Sequence, residues 1–212
     1  MATNDRVLWG VGTSRTLRAH WALLHLGLPY RSEAIRTRSP EAQSGRYQAL
    51  NAAGKVPTLQ DGALTVSESA AIVTYLGETY DGDQAPLVPR TPAARARYFE
   101  WMSFITMELD ATSLYVLRRH YGLPEIYGDA PQANTVAREY FTRMALVAAD
   151  RLPDRPQALL LGDSLSGVDI LMMTCLEWAV GYHLNLPPRL AAYRDTVAAM
   201  PIYQKAREVN TP

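Results

Sequence analysis

Apolar positions along the chain change their period near its middle. Val7 to Val11 is a short continuous apolar run, the pattern of a buried strand. From Ser14 to Leu26 the residues Leu17, Trp21 and Leu24 recur at i, i+4 and i+7, which predicts an amphipathic helix, and Gly27 and Pro29 close it. Tyr30 to Ile35 can form a second strand, followed by a polar stretch with room for a short helix near Glu41 to Leu50. Val56 to Gln60 and Leu64 to Val66 flank Asp61-Gly62, a hairpin signal. Ser67 to Tyr80 is a helix with Ile72 and Leu76 on one face. The order β-α-β-(α)-β-β-α allows a mixed four-stranded sheet, a parallel pair from the first half and antiparallel strands from the hairpin.

Asp81 to Pro92 holds three prolines and a glycine and has no helical period, so it reads as a linker. Beyond it every pattern is helical. Ala93 to Tyr121 is one long helical run and Gln132 to Arg151 a second, with a proline-bounded loop from Leu152 to Arg155. Ser166-Gly-Val-Asp169 is an S-x-x-D cap opening a helix through Cys175 to Gly181. Leu190 to Ala199 is the last expected helix, with Pro201 after it. The chain therefore divides into an α+β domain (residues 1–81), a linker (82–92) and an all-α domain (93–212).

Composition narrows the function. The 212 residues are 48% hydrophobic and 20% charged, with a formal net charge of zero, which gives no steering toward nucleic acid or anionic lipid. The arginine and alanine bias fits a GC-rich bacterial genome. Met1 to Val11 lacks the pattern of a signal peptide, and the apolar stretch Ile170 to Val180 contains Glu177 and is too short to span a membrane. A lone cysteine, Cys175, excludes a disulfide framework within one chain and points to a cytoplasmic setting. His20, His25, His120 and His183 have no metal-ligand spacing, so no metal is expected.

Three clusters can carry chemistry. In Asn51-Ala-Ala-Gly54-Lys55-Val56-Pro57, a cis Val56-Pro57 bond would turn the Val56 backbone from the sheet and leave it to pair with an extended peptide. The same residues also suit a rigid strand entry. Ser67-Glu68-Ser69-Ala70 opens a helix whose N–H groups attract a carboxylate, with a Ser69 hydroxyl donor and a Glu68 acceptor for an ammonium group. That suits the α-amino-acid end of a peptide, or an ordinary cap. Gly12-Thr13-Ser14-Arg15 puts hydroxyls at a helix N-terminus, where one can donate to a thiolate or simply cap the helix.

Together these residues resemble a known family. Ser14-Arg15-Thr16-Leu17-Arg18 through Trp21 to Gly27-Leu28-Pro29-Tyr30 is similar to the S-R-S-x-R-x-x-W…L-G-L-P-Y opening of many bacterial glutathione transferases. Asn51 to Pro57 resembles their N-P-x-G-K-V-P, Glu68-Ser69 their E/Q-S pair, and Leu160 to Ile170 their L-x-G-x-x-x-S-x-A-D-I. Ala52 and Val168 depart from the family's proline and alanine. The resemblance runs from Val7 to Ala206 and implies a thioredoxin-like glutathione-binding domain followed by a helical bundle. It implies glutathione as co-substrate, without metal, held by Lys55, Val56, Pro57, Glu68 and Ser69. Ser14 would stabilise the thiolate, with Thr13 in reserve, for attack on a small hydrophobic electrophile, a detoxification chemistry. Candidates for the electrophile pocket, expected between the domains, are Met107, Tyr115, Arg118 and Tyr121. A homodimer in the cytoplasm is implied as well, with neither nucleic acid nor membrane as partner. Two other readings stay open: a glutathione-dependent disulfide oxidoreductase or isomerase, and a non-catalytic glutathione-binding or scaffolding protein.

Overall fold

In the computed structural model, which describes residues 6–80, 86–155 and 157–211, β1 (Val7–Trp9) lies inside a four-stranded sheet. The strand order is β2-β1-β3-β4, with β2 (Arg31–Glu33), β3 (Thr58–Asp61) and β4 (Leu64–Ser67). β1 pairs parallel with β2 and antiparallel with β3, and β3 and β4 form the hairpin. All three β1 residues are buried, because helices cover both faces. Alternation sends Val7 and Trp9 to one side, where they pack with Ile35, Ala42, Tyr47 and Val56 around the short α2 (Gly45–Gln48). Leu8 and its cross-strand partner Leu59 turn to the other and are fully buried. α1 (Ser14–His25) and α3 (Ser69–Tyr80) pack against each other. The hairpin loop is Gly62-Ala63, since Asp61 pairs with Leu64, and Gly62 takes φ +60 at the first loop position.

Residues up to Val88, together with those from Ala199 on, make one compact unit, and Pro89–Ala198 makes a second. Of the expected linker, 81–85 lie outside the described residues, while Leu87 and Val88 are buried. The helical unit contains α4 (Pro92–Phe104), α5 (Tyr115–His120), α6 (Pro124–Tyr127), α7 (Pro131–Arg151), α8 (Gly167–Gly181) and α9 (Pro188–Ala198). α8 is its centre, with every residue from Gly167 to Leu176 buried, Cys175 among them.

Two helical expectations need correction. Ala93 to Tyr121 is not one α-helix: Ile105–Leu114 is π-helical. Its buried residues Ile105, Leu109 with Asp110, and Leu114 recur every four or five positions, wider than the α period. The Thr106 hydroxyl returns to the Met102 carbonyl at 2.8 Å, and Ser113 to that of Glu108 at 2.7 Å. Pro201 does not close the fold. It stands in the first turn of a further helix, α10 (Pro201–Val209), where a missing N–H costs nothing. α10 packs on α1, with Trp21 and Tyr203 ring centroids 4.9 Å apart. The C-terminal residues thus group with the sheet unit, although their sequence follows the helical one.

Candidate functional site

α1 begins with a reciprocal cap. Thr13, in extended conformation, accepts the Thr16 N–H at 3.0 Å, and Thr16 Oγ1 accepts the Thr13 N–H at 2.9 Å. The Thr13 hydroxyl also lies 3.0 Å from that of Thr16. Ser14 is the first helical residue, and among the described residues its hydroxyl has no hydrogen-bond partner. It faces an open hollow of about 300 Å³ whose walls include Leu17, Arg207 and Asn210. So the two adjacent hydroxyls differ: Thr13 is occupied in the helix cap, and Ser14 has no partner among the described residues.

The Lys55–Pro57 segment is held next to this turn. The Val56-Pro57 bond is cis. Gly10 takes φ +115, and a Cβ there would stand 2.5 Å from Val56 Cβ and 2.9 Å from Thr16 Cγ2, so only glycine allows the approach. The Lys55 carbonyl accepts from Tyr47 O–H at 2.5 Å and from Asn51 Nδ2 at 2.9 Å, while the Asn51 Oδ1 accepts the Ala53 N–H at 3.1 Å. The asparagine that opens the motif therefore both makes the turn and clamps its far end. Among the described residues the backbone N–H and C=O of Val56 have no partner, and the exposed Lys55 ammonium pairs with no carboxylate.

Glu68 opens α3 with φ +67, a left-handed conformation that is unfavourable for a side-chain-bearing residue, and its carbonyl accepts the Ile72 N–H at 2.9 Å. Its exposed carboxylate pairs with no cation among the described residues. Ser69 is buried, and its hydroxyl takes a bond from Arg18 Nη1 at 3.2 Å. Arg18, 1% exposed, sits one turn after Ser14 and ties the start of α3 to α1. Behind the site, His20 Nε2 lies 3.1 Å from the Gly10 carbonyl oxygen and Nδ1 lies 2.8 Å from the Tyr30 hydroxyl. Only a protonated Nε2 bonds a carbonyl, so Nδ1 accepts from Tyr30. Burial lowers the His20 pKa and pushes that of Tyr30 up to about 12, which keeps both neutral.

The three clusters of the sheet unit are thus linked: the first turn through Gly10 to Val56, and α1 through Arg18 to Ser69. Arg18 was readable from its four-residue spacing to Ser14. Asn210, at the end of a helix with no expected counterpart, was not. In the helical unit, Arg118 Cζ lies 5.8 Å from the centroid of the Tyr115 ring. Tyr121 belongs to another group, against Tyr182 and beneath Arg138, and Met107 stands exposed on the π-helical segment. A cavity of about 330 Å³ beside Arg189 and Tyr193 involves none of the candidate site residues.

Residues 14–79 match the sequence profile described as Glutathione S-transferase, N-terminal domain. Glutathione S-transferase theta-1 of Bos taurus is 29% identical over 192 residues, covering 86% of this chain and 78% of that protein. The chain is thus similar to glutathione S-transferases along most of its length. The similarity extends through the helical unit. The theta class glutathione S-transferase of Xanthomonas axonopodis pv. citri, solved with glutathione bound, superposes with a TM-score of 0.80 at 27% identity, over 96% of this chain and 97% of that one. Maleylpyruvate isomerase of Ralstonia sp is 27% identical over 184 residues, 85% of this chain and 84% of that protein.

Proposed function

We propose that the chain is a glutathione transferase whose Ser14 hydroxyl stabilises the glutathione thiolate for attack on a small hydrophobic electrophile. The observation that carries this reading is a Ser14 hydroxyl at the N-terminus of α1 with no partner among the described residues, in the unit where the Val56 backbone is also unpaired among them. An extended tripeptide would pair its cysteinyl residue with Val56 beside Pro57. Lys55 would meet a carboxylate of the peptide, and Glu68 the ammonium of the γ-glutamyl end, with Ser69 fixed beside it by Arg18. A free thiol ionises near pH 8.5. Lowering that by about two units requires about 2.7 kcal/mol. One charge-assisted hydrogen bond of about 1.5–3 kcal/mol plus a helix-terminus contribution of about 0.3–1 kcal/mol is sufficient. The thiol proton passes to water and the thiolate forms a C–S bond with the electrophile. Either a leaving group departs with the displaced electron pair, or the carbanion formed by addition takes a proton from water, so no acid–base pair from the protein is needed.

Met107, Tyr115, Arg118 and Tyr121 remain the candidates for contact with the electrophile. The working form is a cytoplasmic homodimer, which light scattering on purified protein tests directly. The deciding experiment is the ultraviolet thiolate absorbance of bound glutathione followed across pH. Thiolate forming well below the free value is the expected result. Glutathione that binds but stays protonated, or does not bind, replaces this reading with a binding or scaffolding role. The likeness to a maleylpyruvate isomerase supports a second reading at the same site, glutathione-dependent isomerisation. Glutathione is then returned rather than consumed, and a thiol count before and after turnover separates the two.

A further inference from the structure

Asn210, which caps the end of α10, reaches back to the turn that carries Ser14. Its main-chain carbonyl accepts the Gly12 N–H at 2.9 Å. Its side-chain Oδ1 lies 3.3 Å from the same N–H and 2.7 Å from Thr16 Oγ1, while Nδ2 donates to the Thr13 carbonyl at 3.2 Å. These partners fix the orientation of the carboxamide, because only oxygen can accept the Gly12 N–H and only nitrogen can donate to a carbonyl.

The consequence lies in where the hydroxyl protons go. Thr16 has one, with the Thr13 carbonyl at 2.9 Å and Asn210 Oδ1 at 2.7 Å as acceptors. The Thr13 carbonyl already takes two donors, the Leu17 N–H at 3.0 Å and Asn210 Nδ2. Both of its lone pairs are filled, so the Thr16 proton points to Asn210. Thr16 Oγ1 then offers its lone pairs to the Thr13 N–H and to the Thr13 hydroxyl, which is 3.0 Å away. The Thr13 proton is thereby committed inward, along a chain Thr13 → Thr16 → Asn210.

We propose that Asn210 is a positioning residue for the Ser14 donor: it sets the direction of this hydroxyl chain and holds the Gly12–Thr13 backbone, so that Ser14 alone presents a hydroxyl outward. The proposal rests on the transferase reading above. The one charged side chain lining the hollow among the described residues is Arg207, from α10 itself.

The test uses the full chain with Asn210→Ala and Thr16→Val, singly and combined, reading glutathione affinity by titration and the pKa of the bound thiol by thiolate absorbance. Each single variant is expected to raise that pKa by about half to one unit, a roughly three- to tenfold loss of thiolate at lower pH. Affinity should change by less than about threefold, and the double variant should go no further than either single, since both break one chain. A purely structural contact would alter stability and leave the thiol pKa in place. If Asn210→Ala does not fold, Thr16→Val cuts the same chain at its middle link. An unchanged pKa in the folded variants, or full additivity in the double, overturns the role of Asn210 while leaving a wild-type thiolate, and the transferase reading, intact. A wild type without thiolate removes both together.

Discussion

Replacing Thr13 and Ser14 separately by alanine should split stability from thiol activation. Thr13 is the N-cap of α1, accepting the Thr16 N–H at 3.0 Å, and its own N–H is taken by Thr16. Loss of a threonine cap costs about 1 kcal/mol, which for a chain of this size is about 2–4 °C in melting temperature. Ser14 makes no such bond, and serine to alanine inside a helix is favourable by a few tenths of a kcal/mol, so Ser14→Ala should melt at or slightly above the wild type. The bound thiol should respond the other way round. Removing one donor to an anion forfeits about 1.5–3 kcal/mol, or about one to two pKa units. Ser14→Ala should therefore raise the bound-thiol pKa by that amount with little change in affinity. Thr13→Ala should raise it by less than half a unit. The assays are thermal unfolding followed by circular dichroism and thiolate absorbance against pH on the same samples. A larger pKa rise in Thr13→Ala than in Ser14→Ala would refute the assignment, since the capped hydroxyl would then be the one that turns to the thiol.

Other perturbations follow from the same geometry. Glu68 holds φ +67, so Glu68→Gly should relieve strain, raising stability by up to ~1 kcal/mol in a urea melt. The same change should weaken glutathione binding, and unchanged affinity would remove Glu68 from the site. Asp169 is fully buried and accepts from the Leu160 and Ser166 N–H groups at 2.8 and 2.9 Å, from the Ser166 hydroxyl at 2.5 Å and from Tyr193 at 2.8 Å. Asp169→Ala strands all four donors and should cost about 4 kcal/mol or more, read from denaturant unfolding. Burial lowers the pKa of both His20 and His25 below the ordinary 6.5, so the unfolded chain binds more protons there than the native one. Their contribution is intact above about pH 6.5 and is lost as pH falls below it, with a slope of about 1.4 kcal/mol per pH unit for each proton. Unfolding free energies between pH 7.5 and 5.5 should show this slope, and His20→Asn should reduce it by one proton. A slope that survives that replacement would mean that another group carries it.

What could be read from the residues was local, and what could not depends on which distant group meets them. The first sheet unit was legible because its strands and helices alternate with clear punctuation: the apolar run at Val7, the glycine and proline after α1, the Gly62 turn. Pro201 misled because proline serves both after a helix and in its first turn, and only the burial of Tyr203 and Ala206 against α1 decides between them. The two caps make the same point chemically. Thr13-x-x-Thr16 and Ser166-x-x-Asp169 are one local pattern, a hydroxyl at the N-cap and a polar group at the third helical residue, and both close reciprocally. Their uses diverge at that third residue. At Asp169 it is an acceptor-only carboxylate, so it gathers donors from Leu160, Ser166 and Tyr193. Burial pushes its pKa up, and those donors oppose that by favouring the anion. At Thr16 it is a hydroxyl with a proton to place, and the acceptor for that proton arrives from residue 210. A cap that ends in a carboxylate consumes its partners and can only stabilise. A cap that ends in a hydroxyl passes a direction onward, which is why the turn at Thr13, and not the one at Ser166, meets a partner from residue 210.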